Sequence, residues 1–170
     1  DWSSDVCSSD LKRIQDAILP DKRLIMESLQ DSFVLYYPKD IVSGDFYIFA
    51  QQHNKIIIAT ADCTGHGVTG AFMSMIGSSL LNQIINEKRV LRPDLILNKL
   101  NEGIIESLRQ NNSEVHDGMD IAMCVIDRES GQLSFAGANR PLWIVRDGQY
   151  LDIKPDKFPI GLLYSQMPVR

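Results

Sequence analysis

From His66 to about Asn86 the apolar residues Val68, Phe72, Ile76, Leu80 and Ile84 recur at every fourth position, the stripe of an amphipathic helix. A second row on the same stretch, Gly67, Gly70, Ala71, Ser74 and Ser78, consists of small residues that would let another helix or a sheet approach closely. Leu97, Leu100, Ile104 and Leu108 mark the face of a second helix. It opens at Pro93, where a first turn tolerates proline, and ends in the polar Gln110–Glu114. Upstream, Ile14, Ala17 and Ile18 have helical spacing within Lys12–Leu19, and Pro20-Asp21 stops that helix. Strand patterns surround the helices. Ser32–Tyr37 is rich in β-formers and ends at Pro38; Asp45–Ala50 and Lys55–Ala61 flank a polar turn, Gln51–Asn54. The run Ile56–Ala59 is continuously apolar, as in a strand buried on both faces. Ile121–Asp127, Leu133–Ala138, Leu142–Arg146 and Tyr150–Ile153 follow, with turns at Glu129-Ser130-Gly131 and Asp147-Gly148. Strands, two long helices, then strands, without regular βαβ alternation, predict an α+β fold of antiparallel sheets with segregated helices.

Composition narrows the function classes. The 170 residues are 44% hydrophobic and 23% charged, enough for one domain with a core. The net charge of −5 gives no basic footprint for nucleic acid. No apolar run approaches the roughly 18–20 residues of a bilayer span, so no membrane segment is expected. Cys7, Cys63 and Cys124 have no CxxC spacing, which argues against a zinc site or a disulfide framework and for a reducing, cytoplasmic setting.

Two short segments carry candidate chemistry. Val42-Ser43-Gly44-Asp45-Phe46-Tyr47 puts an acidic residue after glycine at a strand start. Ala61-Asp62-Cys63-Thr64-Gly65-His66-Gly67 puts another at the exit of a buried strand, before a glycine-rich turn into a helix. An aspartate there needs hydrogen bonds or a cation; capping the following helix is the structural alternative for Asp62. The Gly-x-Gly turn lacks the lysine and Ser/Thr of a P-loop, which argues against nucleotide binding.

Together, Val42–Tyr47 and Ala61–Met75 resemble the first two signatures of PPM-type (protein phosphatase 2C-like) serine/threonine phosphatases, in the bacterial SpoIIE-like branch. Ile14-Gln15, Ile18-Leu19-Pro20, Asp117–Ala122, Ala136–Leu142 and Pro159-Ile160-Gly161 are similar to further family segments. The resemblance implies an αββα sandwich of two mostly antiparallel sheets flanked by helices, and two Mn²⁺ or Mg²⁺ ions at one end. It implies that Asp45 and Asp62 are the catalytic, metal-ligating carboxylates and that Cys63 contributes its backbone carbonyl. Hard divalent ions prefer such oxygen donors. His66 is read as structural, Asp117 as a turn residue with a third-metal ligand as the alternative, and Asp120 as a strand cap. Arg140 and Lys39 are read as solvated surface positions, with phosphate binding as the alternative. The family mechanism that the resemblance implies is attack by metal-activated water.

The same reading divides the chain. Residues 1–11 look like a translated sequencing-adapter oligonucleotide, with neither a signal-peptide pattern nor a helical period. Residues 12–30 are expected to be a linker helix from an upstream domain, and 31–170 the phosphatase domain, incomplete at its C-terminus. Later family signatures supply further metal carboxylates beyond the residue matching Gly161, so this fragment is expected to be inactive. The partners implied are a phosphorylated regulatory protein, such as an anti-sigma-factor antagonist, an upstream sensor in cis, and a second copy in a homodimer. A non-catalytic signalling module acting through the two long helices is the alternative.

Overall fold

A computed structural model describes residues 2–108 and 117–161, with side chains described from Ser9 onward. The expected polar end of the second helix, Gln110–Glu114, and the terminal Met167–Arg170 lie outside the described residues. The elements are α1 (Trp2–Ile18), α2 (Lys22–Ser28), β1 (Asp45–Gln52), β2 (Lys55–Cys63), α3 (Gly67–Asn82), α4 (Pro93–Ser107), β3 (Met119–Asp127), β4 (Leu133–Ala138), β5 (Leu142–Arg146) and β6 (Gln149–Ile153). A π-turn, Gln83–Glu87, continues α3.

β1 to β4 form one antiparallel sheet in chain order, and β5 and β6 a separate two-stranded one. Alternation divides the larger sheet into two faces. Phe46, Ile57, Ala59, Ala61, Cys63, Ile121, Met123, Val125 and Ala136 join Met73, Leu81, Ile96, Leu97, Leu100 and Ile104 of the helices in the core. The opposite face carries Asp45, Tyr47 and Phe49 of β1, Asp62, Thr60 and Ile58 of β2, and Asp120, Ala122 and Cys124 of β3. The α+β class with antiparallel sheets and segregated helices therefore holds.

Three local expectations are corrected. Ser32–Tyr37 belongs to neither sheet. It is extended, with Val34 and Tyr36 turned inward while Phe33, Leu35 and Tyr37 are 87, 87 and 92% exposed. β-propensity alone does not supply a ladder partner. The helix predicted over Lys12–Leu19 instead starts at Trp2, and the chain breaks at Leu19–Asp21 before α2, which Asp21 caps by accepting from the Arg23 amide. In α3, Val68 and Phe72 of the every-fourth stripe are exposed, whereas Gly70, Ala71, Met73, Ser74 and Gly77 are buried. Small residues let the first turns of the helix sit close to the sheet and leave Val68 and Phe72 outside, whereas Ile76 and Leu80 pack against the core and Ile84 is buried in it. Gly67–Glu87 is long and apolar enough to cross a membrane by length and composition alone, contrary to the expectation from run length. Its inner face is part of the core just described.

Candidate metal centre

The β1–β2 turn at His53-Asn54 sets the register, and that register brings Asp45 opposite Asp62 and Asp62 opposite Asp120. Three carboxylates thus form a row across three neighbouring strands, on the face away from the helices. Like charges directly opposite one another destabilise a sheet, so this row needs a cation. Arg140 supplies one: its guanidinium bonds to Asp62 Oδ2, and its Nε lies 3.8 Å from Asp120 Oδ2. Asn139 adopts a left-handed backbone (φ 58°) at the end of β4 and donates from Nδ2 to Asp120 Oδ1 at 2.8 Å. Withdrawal from water raises the Asp45 carboxyl above its ordinary value, the Asp62 charge adds to this, and Arg140 opposes it. The row opens on a groove of about 360 Å³ walled by Val34–Tyr37, Tyr47, Thr60 and Arg140.

The turn after β2 is held from two sides. Thr64 donates its amide to the Gly118 carbonyl and its hydroxyl to Asp117 Oδ1, and its Oγ1 accepts from the Gly118 amide. On the other side, a Cβ on Gly44 would meet the carbonyl oxygens of Gly65 at 3.2 Å and Cys63 at 3.3 Å. Glycine at 44 therefore lets two carbonyl oxygens approach the backbone immediately before Asp45. Gly65 (φ 86°) turns the chain into α3.

This geometry sorts the sequence candidates. Asp45 and Asp62 come together, and Asp62 does not cap α3, whose N-cap is His66. His66 is the N-cap residue of α3, and its exposed ring lies 4.0 Å from Asp40. Burial pushes the Cys63 thiol up to about 12, so the thiolate is not the available donor at this residue; its carbonyl lies beside Gly44. Asp117 accepts from Thr64 within a turn. Lys39 lies elsewhere, beside Asp40, Val42 and Gly67. Asp120 and Arg140 belong to the centre, whereas strand capping and solvation were the expectations. The sequence signal that could have found Asp120 is its even spacing from Ala122 and Cys124, which fixes its face.

A hard divalent cation fits the donor chemistry of two adjacent carboxylates beside carbonyl oxygens. Among the described residues, no group of three or more His, Cys, Asp or Glu side chains converges as a metal-ligand set.

The family model of stage II sporulation protein E (SpoIIE) matches residues 52–169. No curated protein matches the chain in sequence. Among solved structures, the SiaA PP2C domain of Pseudomonas aeruginosa is similar at 30% identity and a TM-score of 0.84, over 99% of this chain and 66% of that one. The PP2C phosphatase domain of the cell fate determinant SpoIIE from Bacillus subtilis, with a fragment of its regulatory domain, is similar at 25% identity and TM-score 0.60, over 76% of this chain and 36% of that one. RsbX in complex with magnesium shares the fold, at 16% identity and TM-score 0.52 over 71% of this chain and 55% of that one. The chain thus spans less than two thirds of each of these relatives.

Proposed function

Since the chain belongs to the SpoIIE family of PP2C-type phosphatase domains, we propose that it is a metal-dependent protein phosphatase domain acting on phosphoserine or phosphothreonine of a regulatory protein in bacterial signalling. The observation that carries this reading is the direct pairing of Asp45 with Asp62 at the open end of the sheet. Asp45, Asp62 and the Cys63 carbonyl would hold Mn²⁺ or Mg²⁺. Two such ions, when bound, would lower the pKa of a water and offset charge at phosphorus. Arg140, the basic side chain in the groove lining, would meet phosphoryl oxygens with its planar fork. A phosphopeptide in this groove would lie against Val34–Tyr37, which line it. Cys63 takes no nucleophilic part, its thiol being buried and held protonated.

Family membership supports a regulatory partner, with an anti-sigma-factor antagonist, an upstream sensor in cis and a second copy as the candidates. Cytoplasmic location belongs to the same reading, supported by two buried free cysteines, Cys63 and Cys124. A non-catalytic phosphatase-like module is the second reading; in its favour, no third ligating side chain converges with the pair among the described residues. The deciding experiment is hydrolysis of a phosphoserine peptide in millimolar Mn²⁺ by this chain. Turnover that Asp45→Asn and Asp62→Asn both abolish supports the enzyme. Cation binding without turnover supports the module.

A further inference from the structure

The buried polar residues among those described are Gln15, Ser43 and Ser74; the side chains of Gln15 and Ser74 bond to each other and to the Ser43 backbone. They come from three separate elements: α1, the turn before β1, and α3. The Gln15 amide is 5% exposed and reads both backbone groups of Ser43. Its Nε2 donates to the Ser43 carbonyl at 2.7 Å, and its Oε1 accepts from the Ser43 amide at 2.9 Å. The same Nε2 donates to Ser74 Oγ at 3.0 Å, and that hydroxyl donates to the Ala71 carbonyl at 2.8 Å. From Ser43 the chain of bonds continues to the candidate metal ligand, because the Asp45 amide donates to Ser43 Oγ at 3.0 Å.

A two-point amide–backbone lock of this kind fixes both the position and the rotation of a turn. Leaving either half unmade would strand buried polar groups, so the lock holds only with an amide at position 15. The turn has little other freedom. A Cβ on Gly70 would stand 2.9 Å from the Gly44 Cα, so α3 already abuts the turn, and α1 supplies the polar fastening on its remaining side.

We infer that Gln15 is a positioning residue for Asp45: through Ser43 it holds the Val42–Asp45 turn so that the Asp45 carboxylate stays beside Asp62. The inference rests on the reading of Asp45 and Asp62 as metal ligands. It assigns α1 a part in the metal centre although α1 contributes no ligand. Partners of ligands tune metal affinity by about 10–100-fold, which sets the scale expected here.

Gln15→Met keeps the length of the side chain and removes both hydrogen-bonding groups. Ser43→Ala leaves the Gln15 lock intact and removes only the link to the Asp45 amide. Leu100→Ala, on the core-facing side of α4, serves as a control that lowers stability without touching the turn. Two quantities are read: amide hydrogen exchange at Ser43 and Asp45 without metal, and Mn²⁺ affinity by calorimetry. In Gln15→Met, exchange at both amides is expected to rise and Mn²⁺ affinity to fall about tenfold or more. Ser43→Ala should free the Asp45 amide alone, and Leu100→Ala should do neither. Unchanged exchange at Ser43 and Asp45 in Gln15→Met overturns the inference, as does faster exchange with Mn²⁺ affinity intact. If Asp45→Asn leaves the Mn²⁺ affinity of the chain untouched, the metal reading itself fails. The exchange measurement alone then decides whether Gln15 fixes the turn.

Discussion

Asp45 and Asp62 face each other with one ladder step between them, and the fold bears their repulsion to keep both. Replacing one charge should relieve it. In EDTA, Asp45→Asn is expected to gain up to about 1 kcal/mol of stability by urea titration. In Mn²⁺ the same variant should lose the stabilisation that cation binding gives the parent. A variant destabilised in EDTA would mean that the carboxylate serves the fold rather than an ion. Cys63→Ser should leave Mn²⁺ affinity unchanged in the same titrations, because only its main-chain oxygen is assigned to the ion. Asp45, after Gly44 at a strand start, and Asp62, at a strand exit before a glycine-rich turn, stood out in the sequence, but only the family resemblance singled them out as metal ligands. Arg140 was not legible as part of the centre: it bonds to a residue 78 positions away, and only the sheet register brings the two together.

The hairpin joining β3 and β4 is fastened at Asp127, whose carboxylate accepts from the Glu129 and Ser130 amides, from Asn54 Nδ2 and from Lys55 Nζ. The Lys55 bond leads the causes that lower its pKa from 3.8 to about 2. A carboxyl depressed in the folded state contributes stability above its unfolded pKa and loses it as pH falls through the folded value. Thermal melts should therefore show the parent more stable than Asp127→Asn at neutral pH, with the two curves converging as pH drops from about 4 towards about 2. A constant gap down to that pH would rule out the carboxylate as its source. At the start of β3, a Cβ on Gly118 would lie 2.2 Å from the Ile160 carbonyl oxygen, whereas one on Gly131 (φ 69°) meets nothing within 4 Å. Gly118→Ala should cost roughly 1–3 kcal/mol by urea titration, the range for overpacking, and should release Ile160 from the core. Gly131→Ala should cost about 1 kcal/mol, from its backbone conformation alone. Turns of this type are written locally, so Asp147-Gly148 and Glu129-Ser130-Gly131 were readable. The orientation of α3 was not. Its rows of small and of bulky residues both have helical spacing, and the seating of Gly70 against Gly44 turns Val68 and Phe72 outward at the first turns while Ile84 of the same row stays in the core.

Over the whole molecule, the helices that join the core cover one face of the four-stranded sheet, and the acidic row lies at the edge of the other. The α+β class could be read from element order, because strands grouped at both ends of two helices favour antiparallel pairing. The coverage of the second face could not, because Ser32–Tyr37 has the composition of a strand and no place in a ladder. Its outward row, Phe33, Leu35 and Tyr37, presents three large side chains at strand spacing with the main chain beside them outside either sheet. Such a row is a template for self-association, so its first effect is colloidal. Light scattering during concentration should show aggregates forming at lower protein concentration in the parent than in Leu35→Lys, with no difference in melting temperature between the two. The shelf life of the solution would then be set by one side chain that the folded monomer scarcely uses.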